Sequence, residues 1–276
     1  MLLALPDLSR EGISGNAHGC RQYPEALSLL SALRQAHELP RVVVIALGAN
    51  GEITDSDVNR ALKLLGRERL LVLVTPRELG GGAGSDAQLV RSEGRRHPQR
   101  VGVLDWVAYS SGHPEWFEPD GLHLSPSGSA ALAALIGRVR PLAAPPTSVR
   151  PPKCSSSKSP TPMALTGVIV APSGGGLSVH PDSSRLKITL LNANPFAVEG
   201  VAQLSEAVAG GRTIAATCIS APPGGPGAAT LRLDAAALAD LELRRRYRVR
   251  LEVSVSAPPN LSATVTDIYS LRQTPR

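Results

Sequence analysis

The chain has 276 residues, is 42% hydrophobic but only 3% aromatic, and carries a formal net charge of +6. That length suffices for one large domain or two ordinary ones with aliphatic cores, and no apolar run reaches membrane-spanning length. The basic excess is small and scattered, without the interleaved aromatics of a nucleic-acid site, and the three cysteines show no CxxC spacing, so neither a nucleic-acid partner nor a structural metal is expected.

Met1 to Leu5 is too short for a signal-peptide core, and no basic region precedes it. Glu25 to His37 places Leu27, Leu29, Leu30 and Leu33 at helical spacing. Val42 to Leu47 reads as a buried strand, followed by the glycine turn Gly48-Ala49-Asn50-Gly51. Thr54 to Asp57 leads into Val58, Ala61, Leu62 and Leu65, the pattern of a capped helix. Leu70 to Val74 is a second strand, Gly80 to Gly84 a flexible loop, Ala87 to Glu93 a short helix and Val101 to Trp106 a third strand. Ser125-Pro126 caps a last helix, with Pro in its first turn. Strands alternating with helices predict an α/β layered domain with a parallel sheet over residues 1-140.

Residues 141-162 are rich in Pro and Ser and read as a semi-stiff linker. From 163 to 276, short β-rich runs separated by Gly, Pro, Asn and Ser suggest an all-β, immunoglobulin-like sandwich. Ala235 to Leu241 reads as a helical turn or two. Arg244-Arg245-Arg246 with Arg248 and Arg250 is the longest basic cluster; it reads as a solvated strand edge, with a polyanion contact as the sharper alternative. A Cys154–Cys218 bridge is open to a chain outside the cytosol.

Asp120-Gly-Leu-His123 sets an acid and an imidazole three residues apart before the last helix. Such spacing lets the carboxylate reach the ring, the arrangement of orienter and base in serine esterases. Asn50, on the glycine turn begun by Gly48, is a candidate oxyanion donor at the strand edge where open α/β sheets place ligands. The bland alternative is an ordinary Asn-Gly turn.

Five blocks carry a resemblance: Arg21-Gln22, Val43 to Gly51, Leu71 to Arg77, Val103 to Trp106, and Trp116 through Gly128. In order and spacing, residues 13-140 resemble an SGNH (GDSL-type) hydrolase, in particular the extracytoplasmic domain of bacterial cell-wall O-acetyltransferases. The resemblance implies a three-layer parallel-sheet domain and a Ser-His-Asp mechanism, with Asp120 and His123 in the triad. It places Asn50 and the Cys20 backbone N–H in the oxyanion hole. It also implies a polysaccharide or acyl-ester substrate, an integral-membrane acyltransferase domain or partner, extracytoplasmic action and no cofactor. Cys20 stands where the family has Gly or Ser, and its side chain reads as a small buried filler or, with less support, a reactive thiol.

The family's strand ending in Gly-Asp-Ser, which carries the nucleophile, is absent. The expectation is that the chain begins just after that serine, by a misassigned start or a broken gene. It would then lack the first strand and be inactive as it stands. In the alternative, Met1 to Leu5 is the first strand and Ser9 a degenerate nucleophile. A second functional class also remains open, a non-catalytic cell-wall or glycan-binding protein with a degenerate esterase fold.

Overall fold

The computed structural model describes residues 2–144, 147–154, 163–164, 168–172, 177–180, 183–208, 211–244, 246–257 and 261–274. The chain divides into two compact units, Met1–Pro145 and Pro146–Arg276.

In the first unit a 3-10 turn, Leu2–Ala4, leads into α1 (Leu5–Arg10), with Pro6 in the first turn where its missing N–H costs nothing. There follow α2 (Tyr23–Gln35), β1 (Val42–Ile45), α3 (Asp55–Leu65), β2 (Leu70–Val74), α4 (Ser85–Arg96), β3 (Val101–Leu104), α5 (Trp106–Tyr109), α6 (Pro126–Gly137) and α7 (Arg140–Ala143). The three strands pair in parallel in the order β1-β2-β3. All five residues of β2 are buried, which suits a continuous Leu/Val run at the sheet centre. Leu71, Leu73 and Val101 pack with Leu27 and Leu30 of α2, Val58, Ala61, Leu62 and Leu65 of α3, and Val90 of α4. The expected cap on α3 forms as a reciprocal pair. Thr54 Oγ1 accepts from the Asp57 N–H at 3.2 Å, and Asp57 Oδ2 accepts from the Thr54 N–H at 3.1 Å.

The second unit contains β4 (Met163–Ala164), β5 (Val168–Pro172), β6 (Ser178–Val179), β7 (Arg185–Asn192), β8 (Val198–Glu206), β9 (Thr213–Ala221), β10 (Pro226–Arg232), α8 (Ala235–Arg244), β11 (Arg246–Ala257) and β12 (Leu261–Gln273). One sheet runs β10-β7-β5 and is antiparallel. The other, six-stranded, runs β4-β12-β11-β8-β9 with β6 also on β12. Alternate residues of both sheets face one core, in which Leu186, Ile188, Leu190 and Leu231 meet Leu204, Ile214, Val249, Leu251 and Val253.

The expected fold class, a three-layer SGNH-hydrolase-like domain followed by an immunoglobulin-like sandwich, is therefore corrected. The first unit holds a parallel sheet of three strands, four or five residues each. The second holds a mixed sheet, because β4 and β6 both pair parallel to β12. Periodicity marked the three strands of the first unit one by one; which strands join, and in which sense, is decided by contacts between distant segments. The same limit applies to the arginine-rich strand. β11 lies between β12 and β8, so it is an interior strand and not a sheet edge.

Part of the predicted linker is held down. The Val149 N–H donates to the Thr213 carbonyl at 2.9 Å, and Cys154 is disulfide-bonded to Cys218 of β9. Arg212, beside β9, donates to the Thr147 carbonyl and pairs with Glu206 and Asp234. Residues 155–162 of that stretch lie outside the described residues. A bridge closing a 64-residue separation constrains the unfolded chain substantially. Cys218→Ser is expected to destabilise the second unit by about 2–4 kcal/mol, measured as a lower urea midpoint.

Candidate active site

Because the strands are parallel, the segments after β1, β2 and β3 all leave from one sheet edge. Asp120 and His123 sit on a tight loop near that edge. Phe117 and Leu124 form an isolated antiparallel bridge, and the Glu118 N–H donates to the His123 carbonyl at 2.8 Å. The Gly121 N–H donates to the Glu118 carbonyl at 2.9 Å, with Gly121 at φ 69°.

Within this loop the Asp120 carboxylate does two things. Its Oδ1 accepts from the backbone N–H groups of Leu122 and His123, each at 2.9 Å. Its Oδ2 lies 2.5 Å from His123 Nδ1. The bond from His123, with help from the two backbone donors, pulls the Asp120 carboxyl down to about 2. An ionised carboxylate only accepts, so Nδ1 donates the proton of this bond, which leaves Nε2 as the ring nitrogen a general base would use. The His123 side chain is 74% exposed. Among the described residues no hydroxyl is hydrogen-bonded to Nε2.

Arg77, just past β2, anchors the loop. Its Nε donates to the Gly121 carbonyl at 3.1 Å and its Nη1 to Ser110 Oγ at 2.9 Å, while the guanidinium lies 4.0 Å from the Phe117 ring centre. Burial lowers the Arg77 pKa, so these contacts must offset a desolvation cost. The Gly80 N–H adds a bond to the Asp120 carbonyl at 2.9 Å. The expected flexible glycine loop is thus, at Gly80, a fixed support. Below lies an aromatic cluster. Trp106 and Trp116 stack at 5.8 Å, Trp106 and Phe117 are tilted at 5.8 Å, and His113 stacks on Trp116 at 3.9 Å. Ser125 Oγ accepts the Gly128 N–H at 3.2 Å and starts α6.

The oxyanion candidates lie on the neighbouring segments. Gly48 has φ 113°, and a Cβ there would come within 2.8 Å of both Ile53 and Pro76, so only glycine lets the post-β1 turn sit against the post-β2 turn. Buried Asp86 of α4 accepts the Ile53 N–H at 3.2 Å. Gln22 packs on Gly51, where a Cβ would stand 3.2 Å from its side chain. These contacts bring the Cys20-Arg21-Gln22 block beside the Asn50 turn. Asn50 is exposed. Cys20 is exposed too and holds φ 56°, the left-handed geometry that suits Gly better, so it is not the buried filler expected of it. Among the described residues neither Asn50 nor Cys20 is hydrogen-bonded to the Asp120–His123 pair.

The alternative placing of the first strand at Met1 to Leu5 is also corrected. Leu2 to Arg10 is helical, and Ser9 lies on α1 with its carbonyl accepting the Gly12 N–H, not on a strand-end turn. Arg77, Gln22 and Asp86 were given no role from sequence. The first two fall inside recognisable blocks, but their partners, a glycine carbonyl and a glycine turn, carry no side-chain signal.

Gly121→Ala is expected to cost about 1–3 kcal/mol, since its Cβ would stand 3.0 Å from the Gly81 nitrogen in addition to the left-handed strain. The check is a chemical-denaturation comparison, together with loss of the hydrogen-bonded His123 Nδ1–H signal in proton NMR. The pH dependence has a definite sign. The Asp120 carboxyl is depressed from 3.8 to about 2, so the dyad bond is present above pH 4 and disappears as pH falls through about 2. A carboxyl carbon-13 titration of Asp120 with its midpoint near 4 would contradict this.

No protein-family model matches the chain. It is 32% identical over 118 residues to a protein named putative peptidoglycan O-acetyltransferase YrhL of Bacillus subtilis (strain 168), spanning 42% of this chain and 18% of that protein. It is 26% identical over 136 residues to the peptidoglycan O-acetyltransferase OatA of Listeria monocytogenes, spanning 49% and 21% respectively. It is 35% identical over 96 residues to the O-acetyltransferase OatA of Staphylococcus aureus, spanning 34% and 15%. Among solved structures, the periplasmic chaperone SfaE aligns with a TM-score of 0.29 at 11% identity, over 40% of this chain and 57% of that one. Murine CRIg aligns with a TM-score of 0.25 at 12% identity, over 39% and 98%. The chain spans only 15% to 21% of the length of these curated relatives, and it is similar, over part of its own length, to proteins named as peptidoglycan O-acetyltransferases.

Proposed function

We propose that residues 1-140 carry part of the acyl-transfer site of a carbohydrate O-acyl esterase or O-acetyltransferase that acts on a cell-wall polysaccharide outside the cytoplasm. The observation that carries this reading is the 2.5 Å bond between His123 Nδ1 and Asp120 Oδ2, on a loop clamped by Arg77. The similarity to peptidoglycan O-acetyltransferases supports the substrate class, and the Cys154–Cys218 bridge supports an oxidising compartment.

The chemistry follows an SGNH-type Ser-His-Asp scheme. A serine hydroxyl attacks the acyl carbonyl and passes its proton to His123 Nε2. Asp120 holds the ring and stabilises the imidazolium. Asn50, on the turn shaped by Gly48, and the N–H of Cys20, on the neighbouring turn before α2, stabilise the oxyanion. His123 then returns the proton to the leaving oxygen, and a water or sugar hydroxyl accepts the acyl group in a second, mirror-image step. No serine hydroxyl among the described residues is hydrogen-bonded to His123, and on this reading the chain by itself is expected to be inactive. The acyl donor would come from an integral-membrane acyltransferase domain or partner.

The exposed Nε2 without a hydroxyl partner also favours a second reading, a non-catalytic glycan-binding protein that retains the site's frame. One experiment separates the two. The chain alone should not hydrolyse an aryl acetate, whereas a version with a strand ending in Gly-Asp-Ser fused before Met1 should. In that version His123→Ala should lower kcat by about 10²–10⁴ and Asn50→Ala by about 10²–10³. An extended protein that stays inactive while binding the glycan would establish the second reading.

A further inference from the structure

The solvent face of the mixed sheet carries an arginine row with no place in the acyl chemistry. Arg246, Arg248 and Arg250 alternate along β11 and are exposed, while Val249, Leu251 and Val253 face the core. Arg272 of β12, also exposed, stands directly opposite Arg246. The remaining opposite residues are Ser270 and Ile268 on β12 and Ser205 on β8, none of them charged. Glu252 is next along the outer row and faces Thr266 and Gln203, and Asp267 adjoins Ile268 on β12. Among the described residues, none of the four guanidinium groups is paired with a carboxylate. Arg245 lies outside the described residues, and Arg244 pairs with Asp240.

This arrangement works against the fold. Like charges directly opposite on neighbouring strands destabilise a sheet. β11 is interior, so its charges are not needed to block edge-to-edge pairing. Alternate residues stand about 6.7 Å apart along a strand, so the row is a line of fixed positive charge suited to a linear polyanion. Among the described side chains of these rows there is no aromatic on which a base would stack.

We propose that this face binds a linear phosphodiester polymer of the cell wall that carries no nucleobases. The wall as its source rests on the function proposed above; the binding itself does not depend on acyl chemistry. The test uses the full chain with deacylated poly(glycerol phosphate) as probe, titrated across a salt series. The combined variant Arg246→Ser, Arg248→Ser, Arg250→Ser should bind at least about tenfold more weakly. Its log–log salt slope should be shallower by about 2, at roughly 0.7 per arginine removed. The charge-matched variant Arg60→Ser, Arg67→Ser, Arg95→Ser in the first unit should bind as the original does. Replacing the three β11 arginines by Lys should retain binding and control for folding. Absence of binding, equal weakening by the charge-matched variant, or equally tight binding of oligo(dT) of matched charge would overturn the proposal. None of these outcomes depends on aryl acetate activity, so the two readings fail separately.

Discussion

The Arg77 guanidinium is the contact on which the candidate site hangs. It follows the fully buried central strand and donates to the carbonyl of Gly121, which lies between Asp120 and His123. The same group lies against Phe117 and donates to Ser110, which ties the loop to the aromatic cluster beneath. A short loop holding an exposed histidine would otherwise have little to fix it. Two close glycine approaches, Gly121 on Gly80 and Gly81 and Gly48 on Pro76, extend that anchoring to the neighbouring turns.

Asp120 shows how such a site economises on residues. One oxygen of the carboxylate satisfies two backbone donors and thereby sets the turn; the other orients the imidazole. Folding of the loop and orientation of the imidazole are therefore one event. The site presents an oriented, exposed imidazole and candidate oxyanion donors. The second unit contributes a different property. Its core is aliphatic and shared by two sheets, its preceding segment is stapled to β9, and its outer face concentrates charge that its packing does not require.

Much of the local structure was legible in the residues. The Leu70–Val74 strand, the Thr54 cap, the Ser125 cap and the proximity of Asp120 to His123 all follow from interactions spanning five residues or fewer. The layered hydrolase architecture was not borne out, nor was the sheet-edge position of the arginine strand, because neighbouring strands are chosen by surfaces far apart in sequence. Cys20 shows the same limit at one residue. Its type suggests a buried filler, but a left-handed turn between Gly19 and Arg21 turns it to solvent.

By itself, then, the sequence determined the short-range elements: helices with their caps, strands with their alternation, and an acid–imidazole pair within hydrogen-bond reach. Those depend on backbone geometry and on side chains a turn apart. Only the tertiary structure decided that Arg77 holds the dyad, that Gln22 and Asp86 brace the Asn50 turn, that Cys154 meets Cys218, and that four arginines share one open face. Each of those joins residues brought together only when the core closes, and no local pattern in the chain encodes the closing partner.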